Sequence, residues 1–184
     1  KASQLDINMI LSLHGPFLSG EKMQEALRLY TIWSSYGVEA EGVLIAHASI
    51  HGCTKAAAEK LADILRAKGC KKVAITDLCR DDLAEAIEDA FKYGKVILAA
   101  SSYDAGLFPP MFDFLHHLKI KAWQKREVSI IENGSWAPSA GRVMKQMLEE
   151  MKGITIKGDL VTLRGVMKEG DIPALEALAD AILA

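Results

Sequence analysis

Short runs of apolar residues alternate with helical patterns through most of this chain. The runs lie at 43–49, 73–76, 95–100, 128–131 and 154–163, the last interrupted at Gly158-Asp159. Strands that are apolar on both sides are typical of a parallel sheet covered by helices on both faces. Right-handed crossovers then make such a sheet doubly wound. We therefore predict an α/β fold built on a five-stranded parallel sheet.

Apolar residues at helical spacing predict a helix after each of these strands. The first is expected at 55–68, the second is capped by Asp81 or Asp82 and ended by Gly94, and the third is opened by Pro109-Pro110. The inward faces are predicted from Ala57, Leu61, Ile64, Leu65, Leu83, Ile87, Phe91, Met111, Phe114, Leu115, Leu118, Met144, Met147, Leu148, Met151, Leu175, Leu178 and Ile182.

The first forty residues follow a different pattern. Residues 7–13 predict a strand, and residues 21–36 predict a helix that Gly37 ends. Val38 to Gly42 resembles a short polar linker. We place the boundary of the main domain at about residue 41.

Three long segments follow predicted strands, at 49–54, 101–109 and 132–141. In a doubly wound sheet, ligands bind outside the carboxyl ends of the strands, where the winding reverses. Loops that only connect elements usually have two to six residues, whereas two of these three are longer and all contain Gly or Ser. We expect the three segments to form one binding site.

The first segment has the composition of an anion site. Hydroxyl groups and free N–H groups at the start of a helix attract a phosphate, although Ser and Thr also cap many helices that bind nothing. No Lys or Arg lies inside the segment, which favours a phosphate enclosed by neutral donors. The candidate phosphate-binding residues are Ser49, Ile50, His51, Gly52, Cys53 and Thr54.

The other two segments offer flat apolar walls for a planar ring. Tyr103, Phe108 and Trp136 carry the aromatic faces, and Gly106 permits a close backbone approach. Alternatively, Tyr103 and Phe108 cover the next helix, and Trp136 fills a gap beneath its loop. The candidate residues are Ser101, Ser102, Tyr103, Asp104, Ala105, Gly106, Asn133, Gly134, Ser135 and Trp136.

These motifs occur together in a known family. Residues 49–54 resemble the flavodoxin phosphate loop, and residues 102–110 resemble the second flavin loop of the flavodiiron proteins, or A-type flavoproteins. Leu13-His14-Gly15-Pro16 resembles the segment that closes their metallo-β-lactamase-like diiron domain. Tyr30-Thr31-Ile32-Trp33-Ser34 is similar to the end of the helix that follows it. The resemblance extends over essentially the whole chain.

The resemblance implies a flavodoxin-like sheet of order 2-1-3-4-5 that binds FMN. Residues 41–184 would be the FMN-binding domain, and residues 1–40 the tail of a diiron domain. His14 would stand at an iron-ligand position, but the other iron ligands are missing, so the diiron centre belongs only to a full-length parent. Electrons would come from a rubredoxin or a flavin reductase, and the parent would reduce oxygen or nitric oxide as a homodimer.

The loops also depart from the family pattern. Asp104 replaces an amide and adds charge, and His51 and Cys53 replace an aromatic residue and an asparagine. The third loop differs from the usual glycine-rich form. An alternative is therefore a flavodoxin-like scaffold or dimerisation domain that has lost FMN.

Composition excludes other classes of protein. A net charge of -2 argues against nucleic acid, and no apolar run approaches the ~20 residues of a membrane span. Three cysteines without a CxxC pair favour a cytoplasmic setting. A cysteine phosphatase would need an arginine where Glu59 stands, and a receiver module would need acidic residues where Ser49 stands.

Overall fold

The computed structural model describes residues 5–184, and the first four residues of the predicted 1–40 segment lie outside it. The strands are β1 (Met9–Leu11), β2 (Phe17–Ser19), β3 (Ala40–Ala48), β4 (Val73–Asp77), β5 (Tyr93–Tyr103), β6 (Gly106–Leu107), β7 (Arg126–Asn133), β8 (Ile154–Ile156) and β9 (Val161–Leu163). The helices are α1 (Gly20–Ser34), α2 (Cys53–Ala67), α3 (Leu83–Lys92), α4 (Pro109–Ile120), α5 (Ala140–Glu149) and α6 (Ile172–Leu183).

The main sheet has the order β4-β3-β5-β7-β8, and these strands are parallel. It is the predicted order 2-1-3-4-5, counted from β3. The fifth strand is divided, because β8 pairs with the beginning of β7 and β9 pairs with its end. The division falls at residues 157–160, around the predicted interruption at Gly158-Asp159. The predicted doubly wound α/β fold is confirmed.

Helices cover both faces of the sheet. Leu44 and Leu98 belong to a core that includes residues of α3, α4 and α5, whereas Ile45 and Ile97 belong to a core that includes residues of α2 and α6. Neighbouring residues along one strand are thus buried on opposite sides, which explains the uninterrupted apolar runs. Burial of each such side chain stabilises the fold by about 1.5–3 kcal/mol.

The end of α3 differs from the prediction. The helix ends at Lys92, and Gly94 lies inside β5 instead of ending the helix. A Cβ on Gly94 would lie 2.8 Å from a methyl carbon of Val38. Gly94 therefore permits the close approach of the segment that leads into β3.

The predicted linker is partly wrong. Ala40, Glu41 and Gly42 begin β3, and a register shift against β5 separates Ala40 from Val43. Glu39 donates its backbone N–H to the carbonyl of Lys92 at 3.0 Å. The segment is ordered because it pairs with the beginning of β5.

Residues 5–34 form a small hairpin and a helix. β1 and β2 pair antiparallel and are shorter than the strand predicted at 7–13. α1 has the predicted helical structure but ends two residues before the expected 36. Met23 is buried in α1, whereas Tyr30 and Trp33 are exposed. The spacing of apolar residues therefore predicts the helix α1 correctly, but it does not predict which of these residues are buried.

Arg126 connects this first part of the chain to the sheet. Its guanidinium donates to the carbonyls of Tyr36 at 2.8 Å and Gly37 at 3.1 Å, and also to those of Phe91 and Gln124. Burial lowers the pKa of Arg126. The carbonyl dipoles stabilise a buried charge and hold residues 36–37 against the end of α3.

None of the helices formed by residues 5–184 combines the length and apolar character needed to cross a bilayer.

Candidate functional site

The first loop joins β3 to α2 and leaves a helix start open. Gly52 stands at the N-cap with φ of +85°, a conformation that favours glycine, and among the described residues no side chain caps α2. The hydroxyl oxygen of Ser49 is buried and finds no hydrogen-bond partner within residues 5–184. A buried polar atom without a partner is rare and costly, so this hydroxyl is a candidate for contact with a bound ligand.

The first and second loops meet through two hydroxyl groups. The Oγ1 atom of Thr54 lies 3.0 Å from the Oγ atom of Ser101, and both residues are buried. Thr54 lies in the first turn of α2, and Ser101 lies near the end of β5. The bond holds the beginning of α2 against the neighbouring strand.

The second loop is a tight hairpin between β5 and β6. Ser102 pairs with Leu107 and Tyr103 with Gly106, and the two residues between them are Asp104 and Ala105. These have φ of +47° and +55°, as a type I′ turn requires. Neither is glycine, so the turn is strained.

Ser102 joins the second loop to the third. Its Oγ atom accepts from the backbone N–H groups of Ser139 at 2.9 Å and Ala140 at 3.1 Å, at the start of α5. Ser139 in turn donates its hydroxyl to the carbonyl of Gly106 at 2.8 Å. A Cβ on Gly134 would lie 3.1 Å from the same Ser102 oxygen. Gly134 therefore permits the close packing of the two loops, whereas Gly106 contributes its backbone carbonyl.

The third loop projects its aromatic residue into solvent. Trp136 is 92% exposed, so it does not fill a gap beneath the loop. Tyr103 on the second loop is also exposed, and its ring centroid lies 5.7 Å from that of Phe108. Both candidate ring-binding aromatics are accessible at the same edge of the sheet.

The structure adds a fourth segment that the sequence reasoning missed. Residues 164–168 follow β9, and Gly165 exchanges two hydrogen bonds of 2.9 Å with the side chain of Asn133. Asn133 therefore holds the fourth segment beside the third loop. The available signal was Gly165, two residues after the end of the last strand, where its φ is +82°.

A group of charged residues lies beneath the first loop. His47 on β3 is 1% exposed, and its Nδ1 atom lies 4.0 Å from an oxygen of Asp77. Lys55 and Arg80 lie 3.9 Å and 3.8 Å from the other oxygen of Asp77. Burial lowers the pKa of His47, and the charge of Asp77 opposes this.

Cys79 closes the same side of the first loop. Its thiol donates a weak hydrogen bond of 3.8 Å to the carbonyl of Ser49. Burial raises the pKa of the Cys79 thiol, with a smaller opposing effect from this bond. A thiol with a raised pKa is a poor nucleophile at neutral pH, so Cys79 is not a candidate nucleophile although it is exposed.

The predicted residues separate into joined and accessible groups. Thr54, Ser101, Ser102, Gly106, Asn133 and Gly134 join the loops to one another or to the fourth segment. The residues that face solvent are Ile50, His51, Gly52, Tyr103, Asp104, Ala105, Ser135 and Trp136. Ser49 and Cys53 are partly covered.

A large cavity lies at the other edge of the sheet. It has a volume of about 670 Å³ and is lined near the amino ends of the strands by residues such as Gly42, Lys95 and Glu127. None of the predicted site residues lines it. The predicted site is therefore distinct from this cavity.

His14 was predicted to stand at an iron-ligand position. His14 is exposed in the turn between β1 and β2. Within residues 5–184, no group of three or more His, Cys, Asp or Glu side chains is placed to hold a metal ion. The residues present do not fit a diiron centre, because iron needs several ligands in defined geometry.

The fold and the loops at its carboxyl edge define a flavodoxin-like α/β protein. A flavodoxin from Streptococcus pneumoniae is 22% identical with a TM-score of 0.63, over 77% of this chain and 97% of its own. No protein-family model and no curated protein matches the sequence.

The flavodiiron proteins resemble a larger share of the chain. Rubredoxin:oxygen oxidoreductase of Desulfovibrio gigas has a TM-score of 0.89 at 20% identity, over 98% of this chain and 45% of its own. The flavodiiron protein of Giardia intestinalis has a TM-score of 0.85 at 21% identity, over 98% of this chain and 44% of its own. The chain thus has the fold of a section of the flavodiiron proteins and spans less than half of their length.

Proposed function

We propose that residues 41–184 are an FMN-binding electron-transfer domain. The observation that carries the proposal is the hydroxyl of Ser49, which is buried beside the open start of α2 and has no hydrogen-bond partner among residues 5–184. The positive end of a helix dipole and free N–H groups favour an anion there. The fold similarity to flavodoxins and flavodiiron proteins makes the phosphate of FMN the best candidate.

The first loop fits a phosphate by the chemistry of its donors. Ser49 would donate its hydroxyl, and the backbone N–H groups of Gly52, Cys53 and Thr54 would donate along the helix start. A Cβ on Gly52 would meet no atom of the described residues within 4 Å, so the loop is open at this point. Neutral hydroxyl and N–H donors suit a phosphate that stays charged after its hydration water has been displaced.

The second and third loops would hold the ring. Tyr103 and Trp136 are exposed and can cover an apolar planar surface. When bound, FMN supplies the electron-transfer chemistry. The chain's own residues bind, orient and shield it, and none is required as an acid or base.

We also propose that residues 1–40 are the tail of a diiron domain in a longer protein. Supporting this, Leu5, Met9, Leu11, Leu13 and Phe17 are exposed large apolar residues close together in sequence. Such a surface is expected to be covered by other protein. The boundary at about residue 41 and the role of His14 stay predictions.

The partners follow from the same likeness. The Desulfovibrio gigas neighbour is named a rubredoxin:oxygen oxidoreductase. By analogy, electrons would enter from a rubredoxin or a flavin reductase and pass towards a diiron centre outside residues 5–184. A homodimer, a cytoplasmic setting and the reduction of oxygen or nitric oxide belong to this proposal.

Titration with FMN and riboflavin tests the cofactor. FMN should bind with quenching of its fluorescence, and riboflavin, which lacks the phosphate, should bind more weakly. Ser49→Ala should weaken FMN by about 1–3 kcal/mol, the typical cost of removing one partner of a hydrogen bond to a charged group. Riboflavin affinity should not change. Ser34→Ala on α1 is the matched control.

The alternative is a flavodoxin-like scaffold or dimerisation domain without FMN. It is favoured by the hydroxyls of Thr54 and Ser102, which already have protein partners. A purified protein that is colourless, dimeric and indifferent to added FMN would support the alternative and contradict FMN binding.

A further inference from the structure

We propose that His47 is a positioning residue that makes the affinity of the first loop for a phosphate depend on pH, so that a phosphorylated ligand binds more tightly when His47 is protonated. The inference rests on the proposed function. It assigns a role to a buried histidine that the FMN-binding loops do not use.

His47 and Ser49 lie on the same side of β3. Val43 and Ile45 face the core formed with α2, and side chains along a strand alternate, so His47 and Ser49 continue this row. Leu78 donates its backbone N–H to the carbonyl of His47, and the Cys79 thiol donates to the carbonyl of Ser49, so the turn after β4 contacts both residues. Ser49 directly follows the last residue of β3, and residues two apart in extended backbone have Cα atoms about 7 Å apart.

These two neighbours share an unusual property. The Nδ1 atom of His47 and the Oγ atom of Ser49 are both buried and have no hydrogen-bond partner in the described part of the chain. One unpartnered polar atom already needs an explanation, and two in succession on one side of a strand indicate a site that is completed by something else. Asp77, 4.0 Å from Nδ1, is close enough to pair with a protonated imidazole after a small shift.

The protonation of His47 changes the net charge of the group of ionisable residues near the first loop. Lys55 and Glu59 on α2 and Asp77 and Asp81 on β4 and the turn that follows act on the imidazole, and Arg80 pairs with Asp77. With a neutral imidazole, three carboxylates outnumber two cations, which disfavours an anion in the loop above. Protonation of His47 brings this group to zero net charge.

The coupling also runs in the opposite direction. Burial lowers the pKa of His47 in the free protein. A phosphate held by Ser49 attracts positive charge, so binding should raise the pKa of His47 and take up a proton. Two opposite unit charges within roughly 10 Å of each other at a protein surface interact strongly enough for about a tenfold change in affinity.

Binding titrations at pH 6, 7 and 8 test the coupling. The dissociation constants of FMN and riboflavin are measured for the natural protein, His47→Gln and the surface control His116→Gln. The measured quantity is the ratio of the dissociation constant of His47→Gln to that of the natural protein or of His116→Gln. For FMN this ratio should rise by up to about tenfold between pH 8 and pH 6. The protonation of FMN and all residues of the first loop are common to the three proteins, so their effects cancel in the ratio. Riboflavin should give a constant ratio.

Proton NMR of the His47 imidazole provides a second readout on the unmodified protein. Inorganic phosphate, with chloride as the control, should raise the pH at which the His47 resonance titrates. This measurement needs neither a variant that folds nor any activity.

The outcomes separate the two proposals. FMN binding with a ratio that does not change with pH would overturn the role of His47 and leave the proposed function intact. An absence of FMN binding together with a phosphate-dependent His47 titration would overturn the proposed cofactor and support the coupling. If FMN does not bind and phosphate leaves the His47 titration unchanged, both proposals are wrong.

Discussion

The hydroxyl of Thr54 lies 3.0 Å from the hydroxyl of Ser101, where α2 begins beside the end of β5. These residues are 47 positions apart in the chain, and their bond joins two of the loops predicted to form one site. Because both hydroxyls are buried, each depends on the other for its hydrogen bond.

A double-mutant cycle should detect this dependence. Thr54→Val and Ser101→Ala should each lower the free energy of unfolding by about 1–3 kcal/mol, because each leaves a buried hydroxyl unpaired. The double variant should lose less than the sum of the two. Urea denaturation measures all three changes, and Thr155→Val on exposed β8 is the control. Strict additivity would mean that the two hydroxyls do not bond in solution.

Ala105→Gly should stabilise the protein. Ala105 has a φ of +55°, where an alanine loses about 1 kcal/mol relative to glycine. Part of this gain is offset because glycine has more freedom in the unfolded chain. The expected increase in the free energy of unfolding is therefore roughly 0.5 kcal/mol, measured by thermal or urea unfolding.

The matched control is Ala56→Gly, an exposed position inside α2. There the same substitution should destabilise by about 1 kcal/mol, because glycine disfavours a helix. If Ala105→Gly were as destabilising as the control, the hairpin would not have the turn described here.

The stability of the protein should fall as the pH drops through the range in which His47 titrates. Burial lowers the pKa of His47 below the ordinary value of a histidine side chain, and the charge of Asp77 opposes this only in part. The unfolded chain therefore takes up a proton first as the pH falls. The free energy of unfolding should decrease from about pH 7.5 downwards, by at most about 1.4 kcal/mol per pH unit.

Urea unfolding at pH 5.5, 6.5 and 7.5 checks this slope. His47→Gln should reduce it, whereas His116→Gln on the surface of α4 should keep it. An equal slope in all three proteins would place the titrating group elsewhere.

Arg126→Met should loosen the first part of the chain. The variant removes hydrogen bonds from a charged donor to the carbonyls of Tyr36, Gly37 and Phe91 and leaves these acceptors unpaired. We expect a loss of about 3 kcal/mol in the free energy of unfolding. Limited proteolysis should also cleave sooner within residues 5–37.

Arg142→Met is the matched control for Arg126→Met. Arg142 is exposed on α5 and makes only a 3.3 Å bond to Gln146. Equal effects of the two substitutions on stability and cleavage would show that Arg126 does not hold residues 36–37.

Several features of the fold are predictable from local patterns. Uninterrupted apolar runs predict strands that are buried on both sides, and the spacing of Met111, Phe114, Leu115 and Leu118 predicts the buried face of α4, which the structure confirms. Asp82 was one of the two residues expected to cap α3, and its carboxylate accepts from the N–H of Ala84. Such signals come from residues within one or two helical turns of each other.

The amino-acid sequence alone therefore determined the fold class, the strand order expected from the family resemblance, and the edge at which the loops gather. The tertiary structure alone decided which hydroxyls in those loops are already bonded and which is free. Ser101 and Ser102 are bonded by residues from other loops, whereas the Ser49 hydroxyl has no such partner within residues 5–184, although all three are serines at strand ends. Three other features also depend on tertiary contacts. They are the close approach of Gly94 to Val38, the position of the fourth segment beside Asn133, and the charges around His47. The physical reason is that the periodicity of apolar residues and the helix and strand propensities depend on neighbours along the chain. Hydrogen-bond partners and nearby charges depend instead on residues that packing brings together from distant positions.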